Sequence, residues 1–193
     1  MPLELVYLSV VESALNPLAV SKSGAVGLWQ FKINTAEMFD LHVDSFEDER
    51  MDPVRATEAA CLYLDYLYKV FGNWALALAA YNAGPGTVQR AVQRAGGETD
   101  FWKLLPYLPD AAQNYVPAFI AASYIFTYHA DHNIETLPPP ITYQEVDTVH
   151  ISEALSFGAL AQWTDLPLEL LHFLNPRYRQ GYVPKPPKGE SVD

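Results

Sequence analysis

The sequence has 193 residues, about half of them hydrophobic, which is enough for a folded domain with a sizeable core. Its 23 acidic and 12 basic residues give a formal charge of −11, which argues against a nucleic acid or an anionic membrane surface as the partner. The single cysteine, Cys61, excludes an intrachain disulfide and a cysteine-based zinc site. No signal peptide or membrane span is recognisable, and because Met1 leads almost directly into a helix we expect that a native leader was removed.

The first helix signal carries a carboxylate. Leu5, Leu8 and Glu12 are spaced by three and four residues, which predicts a helix over 3–14 with the acid on the same face as the leucines. Two interpretations of Glu12 remain open. The side chain either ends the helix and bonds a nearby donor, or burial raises its pKa and makes it a protonated general acid.

Turn and capping residues divide the following sequence into further helices. A loop over 21–27 is followed by a helix predicted to begin near Leu28, and the acidic stretch over 41–51 is predicted to be a surface loop. Asp52 and Pro53 form a strong helix start. Further helices are predicted over 52–72, 73–84, 87–95 and 110–129, with a loop over 102–109. The fold class is therefore mainly α.

The character of the sequence changes after His132. Three consecutive prolines lie in the stretch over 136–145, which is typical of a stiff linker. Beyond it we expect a small α+β appendage over 146–193. Its predicted elements are a strand over 146–150, helices over 157–163 and 167–174, and an extended or disordered tail over 182–193. The main helical domain is placed at 1–135.

The motif content excludes several kinds of catalytic site. The five histidines form no HExxH motif, and the helically spaced pair His129 and His132 is more often solvated than metal-bound. No glycine-rich dinucleotide motif, phosphate loop or serine nucleophile elbow is present. We therefore expect no cofactor and no metal. A helical pocket with aromatic walls and one buried acid suits a neutral, hydroxyl-rich ligand such as a sugar chain.

Four motifs in register carry a family resemblance. In chain order they are Glu12-Ser13 with Ser21, Gly24-Ala25-Val26-Gly27-Leu28-Trp29-Gln30, Ala80-Tyr81-Asn82-Ala83-Gly84-Pro85-Gly86, and Asn114-Tyr115-Val116-Pro117. The chain resembles the lytic murein transglycosylases, most of all their membrane-bound D branch, whose domain is similar to goose-type lysozyme. The match spans residues 3–128. It implies a lysozyme-like multi-helix domain.

The resemblance implies a reaction on peptidoglycan, in bacterial cell-wall remodelling. Family members cleave the β-1,4 bond between N-acetylmuramic acid and N-acetylglucosamine without water and leave a 1,6-anhydro end. Glu12 matches their catalytic carboxylate, which acts first as acid and then as base. The usual glycosidase needs a second carboxylate, and the resemblance implies none, because the C6 hydroxyl of the substrate is the nucleophile.

The same resemblance assigns substrate contacts to five other side chains. Ser21 and Gln30 match residues that bond the muramic sugar, Tyr81 and Asn82 match cleft residues near the scissile bond, and Tyr115 matches a tyrosine close to the acid. Each also has a structural interpretation. The two tyrosines suit core rings, and the asparagine suits a helix stop.

One departure from the family pattern affects the expected cleft. Ala111-Ala112 stands where family members usually have Glu-Thr, and the missing glutamate would bond a sugar. We expect residual activity with altered affinity. The alternatives are a lysozyme-type muramidase, a glycan-binding module with reduced turnover, and a helical scaffold protein.

The appendage has a fainter resemblance. Residues 157–176 are similar to the two-helix centre of a LysM glycan-binding module, but the usual Gly-Asp-Thr-Leu start is missing and the chain ends about where the closing strand should begin. The sequence therefore predicts a degenerate or truncated LysM-like segment. The family resemblance implies peptidoglycan strands as the partner, a periplasmic or outer-membrane location with membrane attachment only through a leader, and a monomer.

Overall fold

The computed structural model describes residues 1–139, 141 and 145–186. Over these residues the protein is mainly α, as predicted, with one two-stranded sheet. The α-helices are α1 (Leu8–Ser13), α2 (Ile33–Met38), α3 (Pro53–Phe71), α4 (Trp74–Ala83), α5 (Pro85–Arg94), α6 (Phe101–Leu104), α7 (Asp110–Thr127), α8 (Phe157–Thr164) and α9 (Leu168–Leu174). Short 3-10 helices cover Leu3–Tyr7, Leu105–Tyr107 and Ala130–His132, and the strands are β1 (Leu155–Ser156) and β2 (Tyr182–Val183).

Helix α3 begins and ends at the residues that the sequence indicates. The Asp52 side chain accepts hydrogen bonds from the backbone N–H groups of Val54 and Arg55, both at 2.9 Å, and Pro53 occupies the first turn. Gly72 ends the helix with a φ of 74°, a left-handed conformation that glycine adopts without strain. These local signals suffice to set the bounds of the longest helix.

Helix α4 forms the centre of the helical domain. The side chain of Asn73 caps it by accepting from the Leu76 N–H at 2.8 Å, and the residues over 76–80 are all buried. The helix packs against α3, α5 and α7, and its alanines let these neighbours approach closely. Because α4 is fixed on several sides, Tyr81 and Asn82 in its last turn are held in place.

Three predicted elements of the helical domain are wrong in whole or in part. The helix predicted near Leu28 begins only at Ile33, because Gly27 and Gln30 have left-handed φ values of 88° and 51° and Val26 pairs with Phe31 in an antiparallel bridge. We call residues 19–31 the hairpin loop. The predicted surface loop over 41–51 contains buried residues, and the predicted loop over 102–109 includes the helical turns at Phe101–Leu104 and Leu105–Tyr107.

The C-terminal unit (residues 145–186 here) has its own small core. Phe157, Leu171, Tyr178 and Val183 are buried together, and β1 pairs antiparallel with β2. Both predicted helices are confirmed as α8 and α9. The strand predicted over 146–150 is wrong, since those residues form no strand and β1 lies at Leu155–Ser156 instead.

The end of the chain also differs from the prediction. Tyr182–Val183 is a strand that closes the C-terminal unit, where the sequence suggested only an extended or disordered tail. This strand was not predicted because its pairing partner, β1, lies in a distant part of the chain, and a local sequence pattern does not reveal such pairing. Residues 187–193 of the predicted tail, and part of the predicted linker over 136–145, lie outside the described residues.

Candidate active site

Glu12 lies in the last turn of α1, half-buried in the structure. The helix stops directly behind it, because Ala14 and Leu15 both adopt left-handed φ values of 51° and 63°. The Tyr115 hydroxyl, from α7, donates a hydrogen bond to Glu12 Oε1. This contact joins α1, at the start of the helical domain, to α7, near its end, through a single carboxyl group.

The pKa of Glu12 is raised from 4.5 to about 7. Burial is the larger cause, since it disfavours the charged carboxylate, and the Tyr115 hydrogen bond opposes it by stabilising that charge. No carboxylate of the described residues contributes to the shift. Near neutral pH the group therefore populates both its acid and its base form, which general acid–base catalysis requires.

Two tyrosines surround this carboxyl group. Burial raises the pKa of both Tyr115 and Tyr81 well above the usual value, and the nearby charge of Glu12 raises them further. Both phenols therefore remain O–H donors. The Tyr81 hydroxyl donates to the backbone carbonyl of Trp29 at 2.8 Å, which connects α4 to the hairpin loop.

The hairpin loop positions Ser21 and Gln30. Gln30 Nε2 donates to the carbonyl oxygens of Ala19 at 3.1 Å and Gly27 at 2.9 Å. The Ser21 hydroxyl accepts from the Ala25 N–H at 2.9 Å. These two side chains thus shape the loop from within, and their predicted contacts with a muramic sugar stay predictions.

Ser13 connects helix α1 to the same loop. Its Oγ lies 2.9 Å from the carbonyl oxygen of Leu28 and 3.1 Å from that of Ser9. The hydroxyl therefore fixes the end of α1, beside Glu12, against the hairpin. The only sequence signal for this role was the position of Ser13 directly after the acid.

A buried ion pair lies beneath the hairpin loop, where the sequence predicted a surface loop. Asp48 is completely buried and Arg50 is 6% exposed, with Nη2 to Oδ2 at 2.7 Å and Nε to Oδ1 at 2.8 Å. Arg50 Nη1 also donates to the carbonyl oxygens of Phe31 at 3.3 Å and Gly24 at 3.4 Å. The pair thus ties both arms of the hairpin together. Sequence reasoning missed it, because a charged pair at this spacing is ordinarily solvated.

The remaining predicted positions lie near the ends of α4 and α7. Asn82 is exposed beside Tyr81. On α7, Ala111 is exposed one turn before Tyr115, and Ala112 is completely buried. The structure therefore assigns different environments to the two alanines. Only the first has room for a longer polar side chain.

No cluster of His, Cys, Asp and Glu suitable for a metal ion occurs among the described residues. Of the helices that the structure describes, none has the length and apolar character needed to cross a membrane.

Two family matches cover most of the chain. Residues 1–103 match the transglycosylase SLT domain, and residues 145–192 match the LysM-like domain of lytic transglycosylase MltD. The second match confirms the LysM-like assignment of the C-terminal segment. The first contains Glu12, the hairpin loop and α4.

Curated relatives carry related names. The chain is 35% identical over 179 residues to membrane-bound lytic murein transglycosylase D of Escherichia coli (strain K12), which covers 91% of this chain and 39% of the relative. It is 33% identical over 123 residues to the soluble lytic murein transglycosylase of the same strain, covering 61% of this chain and 19% of that protein. The chain thus spans well under half the length of these relatives.

Solved structures show the same fold. The 70 kDa soluble lytic transglycosylase from Escherichia coli aligns with a TM-score of 0.56 and 30% identity over 67% of this chain and 22% of its own. An inactive Glu-to-Gln mutant of lytic transglycosylase Slt from Pseudomonas aeruginosa aligns with a TM-score of 0.53 and 26% identity, over 74% and 23% respectively. The predicted fold, a lysozyme-like multi-helix domain followed by a LysM-like segment, is confirmed.

Proposed function

This chain belongs to the transglycosylase SLT domain family, and we propose that it is a peptidoglycan lytic transglycosylase. Its substrate is the β-1,4 bond between N-acetylmuramic acid and N-acetylglucosamine, and its product carries a 1,6-anhydro-muramic end. One observation carries the proposal: Glu12 is a partly buried carboxyl group with a pKa of about 7, bonded to Tyr115 and unperturbed by any described carboxylate.

Glu12 serves both chemical steps. In the first, the protonated carboxyl donates its proton to the glycosidic oxygen, the bond from that oxygen to C1 breaks, and the glucosamine leaves with a free hydroxyl. In the second, the carboxylate takes the proton of the C6 hydroxyl, whose oxygen forms the new bond to C1. The proton is returned to Glu12 and no water is consumed. Acid–base assistance of this kind contributes about 100- to 10,000-fold in rate.

A pKa near neutrality suits a group with two roles. A carboxyl with its ordinary pKa is a poor acid catalyst at pH 7, since almost none of it is protonated. The Tyr115 hydrogen bond stabilises the carboxylate form that the second step needs. A pair of carboxylates is the usual requirement for glycoside hydrolysis by water, so a lone acid supports the intramolecular route.

The other predicted residues have supporting roles in this proposal. Tyr115 orients the acid, and Tyr81 and Asn82 line the cleft beside it at the end of the rigid α4. Ser21 and Gln30 shape the hairpin loop that faces the muramic sugar. Ser21 lies at a turn of the loop and is partly exposed, which supports a sugar contact.

We extend the proposal to organisation and location. The catalytic domain occupies residues 1–135, a linker 136–145, and a LysM-like unit that binds glycan 146–193. The two family matches support this division. The relatives named membrane-bound and soluble murein transglycosylases support a periplasmic or outer-membrane location. The chain acts as a monomer on glycan strands.

Product mass tests the proposal. Purified peptidoglycan is digested with the protein, and the released muropeptides are analysed by mass spectrometry. A transglycosylase gives anhydro ends, which are lighter by one water than the ends left by a muramidase. Products with the hydrated mass, or glycan binding without any cleavage, would refute it. The Glu12→Gln variant is the control for contaminating activity.

A further inference from the structure

The C-terminal unit packs directly on the helical domain. Its turn over 175–182 contacts the segment over 42–52, which lies beneath the hairpin loop. The Asp48 N–H donates to the carbonyl oxygen of Arg177, and the Arg179 N–H donates to that of Phe46, both at 2.9 Å. A backbone pairing of this kind fixes the relative position of the two segments.

Arg177 adds charge to this contact. Its Nε lies 3.0 Å from Glu47 Oε1 and its Nη1 lies 3.2 Å from Asp52 Oδ2. The three side chains are only 15–16% exposed, so solvent screens their attraction less than at an open surface. Asp52 is also the cap of α3. One guanidinium therefore joins the C-terminal unit to the middle of segment 42–52, at Glu47, and to its C-terminal end, at Asp52.

The contact continues to the hairpin loop through Asp48. Its backbone N–H donates to the backbone carbonyl oxygen of Arg177, and its carboxylate holds the buried guanidinium of Arg50. That guanidinium in turn donates to the carbonyl oxygens of Phe31 and Gly24 in the loop. Three consecutive polar contacts thus connect the C-terminal unit to the loop that adjoins Glu12.

The hairpin loop has little regular structure of its own. Its local pairing consists of single bridges from Val26 to Val20 and to Phe31, and Gly27 packs so closely on segment 42–52 that an added Cβ would lie 1.7 Å from the Arg50 carbonyl oxygen. A loop of this kind takes its shape from the surface beneath it. A change in segment 42–52 must therefore be transmitted to the loop.

We propose that Arg177 is a positioning residue for the cleft: through segment 42–52 it holds the hairpin loop in the shape that binds glycan. The C-terminal unit is then part of the catalytic structure as well as a binding module. The effect on catalysis rests on the proposed function, whereas the effect on the loop does not. Burial raises the pKa of Glu47 and the charge of Arg177 opposes that rise, which agrees with a pair that is partly shielded from solvent.

The test compares Arg177→Met with Arg179→Met in the full chain. Both variants remove one positive charge from the same turn, but Arg179 has no carboxylate partner among the described residues and its guanidinium bonds only the Asp44 carbonyl, at 3.3 Å. Hydrogen exchange is measured at the Val26 and Phe31 amides, which bond to each other's carbonyl oxygens at 3.0 Å. We expect exchange to be about 3- to 10-fold faster in Arg177→Met and unchanged within twofold in Arg179→Met.

Kinetics on soluble glycan strands provide the second measurement. Arg177→Met should raise KM by about 3- to 10-fold with little change in kcat or in the pH dependence set by Glu12, because the loop binds sugar and does not transfer the proton. Arg177→Lys, which reaches only one carboxylate, should lie between wild type and Arg177→Met. If Arg177→Met does not fold, Glu47→Gln replaces it and is measured in the same way.

Two results would overturn the inference. In one, exchange accelerates at segment 42–52 while the Val26 and Phe31 amides remain as in wild type. In the other, both arginine variants have the same effect on the loop. Failure of the proposed function gives a different result, because wild type would then release no anhydro product. The hydrogen-exchange comparison would still test whether Arg177 positions the hairpin loop.

Discussion

The Glu12→Gln substitution separates the chemical role of this residue from its structural cost. Glutamine keeps the shape and the hydrogen-bonding oxygen toward Tyr115 but cannot ionise. We expect lytic activity to fall by about 100- to 10,000-fold, because the variant cannot donate or accept the proton. The same variant should be more stable than wild type at alkaline pH, because it removes a carboxylate that is costly to bury.

The size of this stability effect follows from the pKa. Glu12 titrates at about 7 in the folded protein against 4.5 for an exposed glutamate. The folded state therefore holds the proton more tightly, so the stabilising contribution is complete below pH 4.5 and is lost as the pH rises through about 7. The full difference corresponds to about 3 kcal/mol, or about 6 to 12 °C in Tm for a chain of this size.

Urea denaturation of both proteins between pH 4 and pH 8.5 measures this difference. Subtracting the two curves cancels every other titrating group, so the remainder reports Glu12 alone. Wild type should lose about 3 kcal/mol relative to the variant, mostly between pH 5 and pH 7. A difference that does not change with pH would refute the raised pKa, and with it the argument that the acid is poised for two roles.

Three further predictions concern Tyr115, two glycines of the hairpin loop and Ala111. In Tyr115→Phe the hydrogen bond that lowers the Glu12 pKa is lost, so the pH above which kcat/KM falls should move upward from about 7; a pH–rate profile measures this, and a downward move would contradict it. Gly27→Ala should lower the free energy of unfolding by more than about 3 kcal/mol or prevent folding, because its Cβ would lie 1.7 Å from the Arg50 carbonyl oxygen. The control Gly24→Ala, also at positive φ but with nothing within 4 Å, should lower it by about 1–2 kcal/mol, as measured by thermal unfolding. Ala111→Glu should lower KM for glycan strands by about 3- to 10-fold, with Ala111→Lys as the control of similar reach, since a carboxylate there accepts hydrogen bonds from sugar hydroxyls; equal KM values for both variants would contradict it.

The sequence determined the elements whose signals are local. The bounds of α3 follow from Asp52, Pro53 and Gly72, and those of α4 from Asn73 and Gly84, because capping groups act on backbone atoms only a few residues away. The special character of a carboxyl on an apolar helix face was also visible in the sequence. Its partner Tyr115 was indicated only through the family resemblance, since a pattern of spacing carries no information on contacts made across the fold.

The helix predicted near Leu28 shows where local reasoning stops. The apolar and aromatic residues there suit a helix, but their burial is satisfied by a hairpin packed on segment 42–52, and tertiary contact overrides propensity. The same holds for Asp48 and Arg50. Two charged residues in an acidic stretch indicate a surface until a fold encloses them and their mutual hydrogen bonds offset the loss of water.

Sequence alone therefore determined the helical class, the capped helices and the position of Glu12 on an apolar helix face. Only the tertiary structure decided the environment that gives the acid its properties. The bond from Tyr115 spans 103 residues of chain, and the burial that raises the Glu12 pKa comes from helices packed around it. Desolvation depends on how much water is excluded in three dimensions, a quantity that the order of residues along one helix does not contain.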